Sequence, residues 1–146
     1  MGLVADLADG PVAIDTSVII YFLEEDDRYL GIIRPLFQQA SDGTRELIIS
    51  ALTLLEVLVI PYRNGNRALA DRYEALLTRS RGLRLIDLTR DQIRGAAHLR
   101  AATGVKTPDA LQLAAALASG CSAFITNDRR LPPVQGVRVI QLASYQ

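Results

Sequence analysis

PVAIDTSVIIYFLEE, residues 11–25, opens as a short apolar run that closes on an acid and then changes period. PVAID (11–15) reads as a buried strand, and TSVIIYFLEE sets Val18, Ile19, Phe22 and Leu23 on one helical face. The same alternation recurs down the chain. A helical pattern spans 29–42, with Pro35 marking a kink or a helix start and Gly43 a stop. ELIIS (46–50) is a second strand, Ser50 caps the helix carrying LTLLEVLVIPY, and Asn64-Gly65 ends it. An amphipathic helix over 66–80 repeats at Leu69, Tyr73, Leu76 and Leu77. LRLIDL (83–88) is a third strand, and Thr89 with Gln92 forms a capping box for a helix through Ala102, stopped by Gly104. TPDALQLAAAL (107–117) is the next helix, with Thr107 as N-cap and Pro108 at the first helical position. SAFIT (122–126) and VRVIQL (137–142) supply the last two strands. Strands alternating with helices predict an α/β fold whose parallel sheet is covered on both faces.

The chain of 146 residues suits one domain, 1–146, and its 49% hydrophobic content supports a full core. Sixteen cations balance sixteen acids, so net charge alone makes no case for a nucleic-acid partner. Fifteen of the cations are Arg and only Lys106 is lysine. Arg suits bidentate phosphate contacts, although a GC-rich coding sequence gives the same bias. One cysteine, Cys121, excludes an intrachain disulfide and fits a reducing cytosol. One histidine, His98, in a helical AAHLRAA context, reads as a surface or core residue and nearly excludes a His/Cys zinc site. MGLVADLADG (1–10) lacks the charged start and apolar run of a leader, and no apolar window is long enough to cross a membrane.

The acids carry the chemistry. Asp15 ends the first strand and Asp128 follows the fourth, so both point to the carboxyl edge of the sheet, where ligands of such folds sit. Glu56, in the second turn of the helix after the second strand, reaches the same edge. Simple strand–helix bookkeeping puts Asp109 at the opposite edge, unless the preceding helix carries the chain back. Each acid alone has a structural explanation: helix cap for Asp15, rim position for Glu56, first-turn dipole acid for Asp109, turn former for Asp128. Together they are harder to explain. Asp15, Glu56 and Asp109 lie in apolar contexts without an arginine within a turn, and buried carboxylates repel one another. A hard divalent cation, which prefers oxygen ligands, would offset that repulsion. The run Glu24, Glu25, Asp26, Asp27 reads instead as solvated surface.

At AIDTSVII (13–20), ISALTLLEVL (49–58), TPDALQLAAAL (107–117) and ITNDRRL (125–131) the chain resembles the PIN-domain ribonucleases and, within them, VapC-type toxins of toxin–antitoxin pairs. The resemblance runs from about Val12 to Val139 and implies a three-layer fold with a central parallel sheet of about five strands. It implies acidic metal-binding and catalytic roles for Asp15, Glu56, Asp109 and Asp128, and supporting roles for Thr16, Ser17, Thr126 and Asn127. Ser17 stands where many relatives carry Asn. It further implies Mg²⁺ or Mn²⁺, an RNA substrate, a VapB-type antitoxin whose tail occupies the acidic groove, a homodimer and a cytoplasmic location. Lys106, Arg129 and Arg130 flank two motifs and are candidate phosphate contacts.

Rival readings fail on particular residues. A haloacid-dehalogenase-type phosphatase needs a second Asp two places after the first, and position 17 is Ser. No glycine-rich dinucleotide fingerprint or P-loop is present. Two readings stay beside the toxin: a stand-alone RNA-processing nuclease, and a non-catalytic PIN-like RNA-binding module, which would be expected to have lost an acid.

Overall fold

The computed structural model describes residues 2–146; Met1, which begins the stretch read as lacking a leader, lies outside them. The elements run β1 (Val12–Ile14), α1 (Thr16–Leu23), α2 (Leu30–Asp42), β2 (Leu47–Ser50), α3 (Ala51–Arg63), α4 (Arg67–Arg79), β3 (Leu83–Ile86), α5 (Arg90–Thr103), α6 (Thr107–Ala118), β4 (Ala123–Thr126) and β5 (Arg138–Gln141). The five strands form one parallel sheet in the order β3-β2-β1-β4-β5. All five expected strands are present, each shorter than its apolar run. Asp15 leaves the first to cap α1, and Leu142 leaves the last to open a 3₁₀ turn, Leu142–Tyr145.

The period of two along each strand divides the core into two layers. Val12, Ile14, Leu47, Ile49, Ala123 and Ile125 pack with residues of α1–α4, including Val18, Ile33, Leu36 and Leu77. Ala13, Ile48 and Phe124 face the other way, onto Ala110, Leu113, Ala114 and Ala116 of α6 and Ala96 of α5. The alanines let α6 lie close against the centre of the sheet. This is the three-layer arrangement expected from the sequence.

Three local expectations need correction. Pro35 does not start its helix, because α2 already begins at Leu30 and runs through it. Thr107 is the first residue of α6 rather than its cap: its hydroxyl accepts from Arg100 Nη1 at 3.1 Å, and Lys106 takes the cap position without a side-chain bond. Thr89 caps α5 by accepting from Gln92 N at 3.2 Å, but the reciprocal half of the box is missing, since Thr89 N bonds to Asp87 O. His98 is exposed. Gly82, at φ +79, is required: a Cβ there would meet Ala40 O at 2.3 Å.

The connection from β3 to β4 decides where Asp109 falls. Gly95 of α5 faces Ala114 of α6, and Arg100 Nε bonds to Val105 O at 2.9 Å in the turn between them. The two helices therefore form an antiparallel hairpin, with Gly104 in the left-handed region at its tip. A helix that feeds a parallel strand runs against it and starts at the carboxyl edge. Asp109 thus stands at the same edge as Asp15, not the opposite one, because α5 carries the chain back.

Candidate active site

Asp15, Glu56, Asp109 and Asp128 line one open cavity of about 490 Å³, together with Thr16, Ser17, Asn127, Arg129 and Arg130. Four distant segments meet there. The ends of the central strands β1 and β4 bring Asp15 and Asp128, while α3 and the start of α6 bring Glu56 and Asp109.

Asp15 is the most buried of the four, at 9% exposure. It does cap α1, since Oδ1 accepts from Val18 N at 3.2 Å and from Ser17 Oγ at 2.5 Å. Oδ2 accepts from the Thr126 hydroxyl, across the β1–β4 pair. These bonds favour the charged form, yet burial outweighs them and pushes the Asp15 pKa up. The capping role is thus real and does not by itself settle the electrostatics.

Asp109 is pushed up as well, first by burial and then by the neighbouring charges of Asp128, Asp15 and, more weakly, Glu56, with Arg130 acting against them. That repulsion places the four acids in one field. Asp128 behaves differently. Its Oδ1 accepts from Arg130 N at 2.9 Å and Arg130 Nε at 3.2 Å, and these contacts, led by the backbone N–H, hold its pKa below the ordinary carboxylate range. The turn-forming role read from TNDRR is therefore present. Among the described residues only Asp128 of the four acids has an ion-pair partner.

Glu56 Oε1 accepts from Thr16 Oγ1 at 2.6 Å and from Gln112 Nε2 at 3.3 Å. Asn127 lines the cavity but its amide bonds to none of the acids: its Nδ2 donates to Tyr21 Oη and Tyr29 Oη, both at 3.1 Å, and those rings stack with centroids 4.5 Å apart. Thr16, Ser17 and Thr126 each hold a carboxylate oxygen, while Asn127 organises the wall. Lys106 lies in an adjoining hollow that shares Asp109, Asp128 and Arg130 with the acid cavity. Arg129 and Arg130 are exposed at the rim.

Sequence reasoning missed Gln112, Thr53 and Tyr21. Gln112 had a signal: it is the one polar residue on α6 a turn after Asp109, and so shares its face. Thr53 and Tyr21 had none, since both sit where ordinary helix packing accounts for them.

Among the described residues no group of three or more His, Cys, Asp or Glu side chains is close enough to hold a metal ion together. The four acids line a cavity without closing into a cage, because Glu56 is drawn to Thr16 and Gln112, and Asp128 to Arg130. The donor set fits a hard cation that keeps most of its waters, as Mg²⁺ does when one or two carboxylates bind it. It consists of oxygen alone, and burial raises the pKa of Asp15 and, joined by repulsion from the other acids, that of Asp109.

The PIN domain family matches residues 12–136. No curated protein matches the chain. The fold is similar to that of VapBC2 from Rickettsia felis bound to a promoter DNA fragment (TM-score 0.68, 14% identity, covering 90% of this chain and 98% of that one). It is also similar to DNA-bound VapBC from Salmonella typhimurium (TM-score 0.65, 20% identity, 91% and 98%) and a toxin–antitoxin complex from Klebsiella pneumoniae (0.62, 21%, 90% and 97%).

Proposed function

The chain belongs to the PIN domain family, a family of nucleases, and on that premise we propose that it is a metal-dependent endoribonuclease acting as the toxin of a VapBC-type pair. The observation that carries the reading is the convergence of Asp15, Glu56, Asp109 and Asp128 on one polar cavity with only Asp128 ion-paired. A structural set of acids would be matched by cations; three of these are not.

Asp15 and Asp109 are the residues to hold Mg²⁺ or Mn²⁺, with Glu56 and Asp128 completing the set directly or through water. When bound, the cation lowers the pKa of a water and stabilises charge on the attacked phosphorus and the leaving oxygen. The protein's part is positional. Ser17, Thr126 and the Val18 N–H fix the Asp15 carboxylate, and Thr16 fixes Glu56. Arg129, Arg130 and Lys106 at the rim attract the phosphodiester, which the acids alone would repel. Water adds to phosphorus, the bond to the leaving oxygen breaks, and the two ends depart.

The toxin role is supported by structural neighbours that are toxin–antitoxin complexes. A VapB-type antitoxin, a homodimer and a cytoplasmic location belong to the same proposal. A small upstream reading frame with a DNA-binding head favours the toxin, and a lone gene the stand-alone nuclease.

The test is cleavage of a mixed structured-RNA pool by antitoxin-free protein with Mg²⁺ or Mn²⁺, with EDTA, and with Asp15→Asn. Cutting that both EDTA and the substitution abolish supports the reading. Folded protein that binds no cation and cuts nothing overturns it in favour of a binding module.

A further inference from the structure

Gln112 is 6% exposed, a long amide buried on a helix whose other residues after Asp109 are all alanine and leucine. Its Nε2 lies 3.1 Å from Thr16 Oγ1 and 3.3 Å from Glu56 Oε1. Thr16 has a single proton and gives it to Glu56 at 2.6 Å. The contact between Thr16 Oγ1 and the fully buried Thr53 Oγ1, at 3.0 Å, must then run from Thr53 to Thr16. Thr16 accepts twice and donates once. The amide can face only one way, since the reverse orientation would set its oxygen against a carboxylate. Its Oε1 finds no donor within the protein. Leucine would fill this place without that cost, so packing does not explain the residue.

We infer that Gln112 is a positioning residue which, from α6, sets how Glu56 on α3 presents its carboxylate to a divalent cation. The inference rests on the metal-dependent nuclease reading. Both bonds to Glu56 fall on Oε1, which leaves Oε2 to take the ion. Gln112 stands one turn beyond Asp109 on the same helix, so a single rigid element fixes one acid directly and a second through its amide. Thr53, Thr16 and Gln112 form a platform of donors beneath Glu56, drawn from α3, α1 and α6.

The experiment is a calorimetric Mn²⁺ titration of the full chain, freed of metal, with the thermal midpoint in EDTA recorded for each variant. Gln112→Met matches the length and removes the donor; Gln112→His keeps an N–H at similar reach. Removing an outer partner of a metal ligand costs about 10–100-fold in affinity, and Gln112→Met is expected in that range while Gln112→His stays within a few-fold of wild type. Unchanged Mn²⁺ affinity in Gln112→Met overturns the inference, and so does lowered stability in EDTA with affinity intact, the result a purely structural role gives. If Gln112→Met does not fold, Gln112→Asn, which withdraws the amide by one methylene, carries the same expectation and the same refutation. Wild type that binds no Mn²⁺ overturns the nuclease reading and this inference together. Binding by wild type and Gln112→Met alike overturns this inference alone.

Discussion

Asp15 and Thr126 are 111 positions apart in sequence, and the hydroxyl of Thr126 donates to Oδ2 of Asp15 across the two central strands. The threonine is fully buried and its oxygen also accepts from Asp128 N at 3.0 Å. One side chain thus ties the first acid to the loop that carries the fourth. Thr126→Val keeps the shape and removes both bonds. It is expected to cost about 1–3 kcal/mol in urea denaturation, the range for leaving buried partners unpaired, with Thr126→Ser recovering most of it. A valine variant as stable as wild type would show the link to be idle.

Asp15→Asn should lower RNA cleavage by about a hundredfold or more and remove stabilisation by Mn²⁺. A ligand at a hundred times its dissociation constant adds about 2.7 kcal/mol to a folded state that binds it. Wild type should therefore melt several degrees higher with Mn²⁺, and Asp15→Asn should not. Equal Mn²⁺ responses in the two proteins would remove Asp15 from the ligand set.

Asp109 gives a prediction with a definite sign. Its folded pKa is raised, so the folded chain holds that proton more tightly than the unfolded chain does. Its contribution to stability is fully present below the ordinary carboxylate range and is lost as pH rises through the raised value. At neutral pH without metal, Asp109→Asn should therefore melt higher than wild type, by about 1–3 °C for a partly exposed group. The difference should vanish below about pH 3, where the carboxyl is protonated in both the folded and the unfolded chain. A lower melting point at pH 7 would mean that the carboxylate is paired rather than repelled.

Lys106→Ala and Arg129→Ala, each built on the inactive Asp15→Asn background, should weaken RNA binding and flatten its salt dependence. For a single strand, each phosphate that is no longer neutralised lowers the slope of log K against log salt by about 0.7. An unchanged slope would assign both residues to bulk surface.

Gly82→Ala lies away from the acids and tests the fold alone. The added methyl meets a backbone carbonyl in a left-handed conformation, and a cost of about 2–4 kcal/mol is expected by chemical denaturation. A loss under about 0.5 kcal/mol would mean that the turn between α4 and β3 shifts freely.

The strands and helices were legible because each apolar run is bounded by a cap or a glycine, and strand faces alternate strictly, as Val12, Ala13 and Ile14 do. Asp15 and Asp128 could be placed because strand ends point one way in a parallel sheet. Asp109 was misplaced by local bookkeeping because its position depends on the α5–α6 hairpin, set by long-range contacts such as Gly95 on Ala114. The retreat of Glu56 onto Thr16 and Gln112 could not be read, since sequence shows which donors exist and not which carboxylate oxygen they reach. Thr53 was invisible for the same reason: a threonine inside a helix looks alike whether or not its hydroxyl meets that of a neighbour such as Thr16.

The strand order β3-β2-β1-β4-β5 also bears on synthesis. The sheet's middle pair joins its first strand to its fourth, so the gap beside β1 closes only when β4 emerges. Domains fold as the ribosome extrudes them. Until then a nascent chain lacks Thr126 and Asp128 and cannot assemble the acid cavity. Any truncated product ending before β4 therefore leaves one side of β1 unpaired and carries no four-acid cavity.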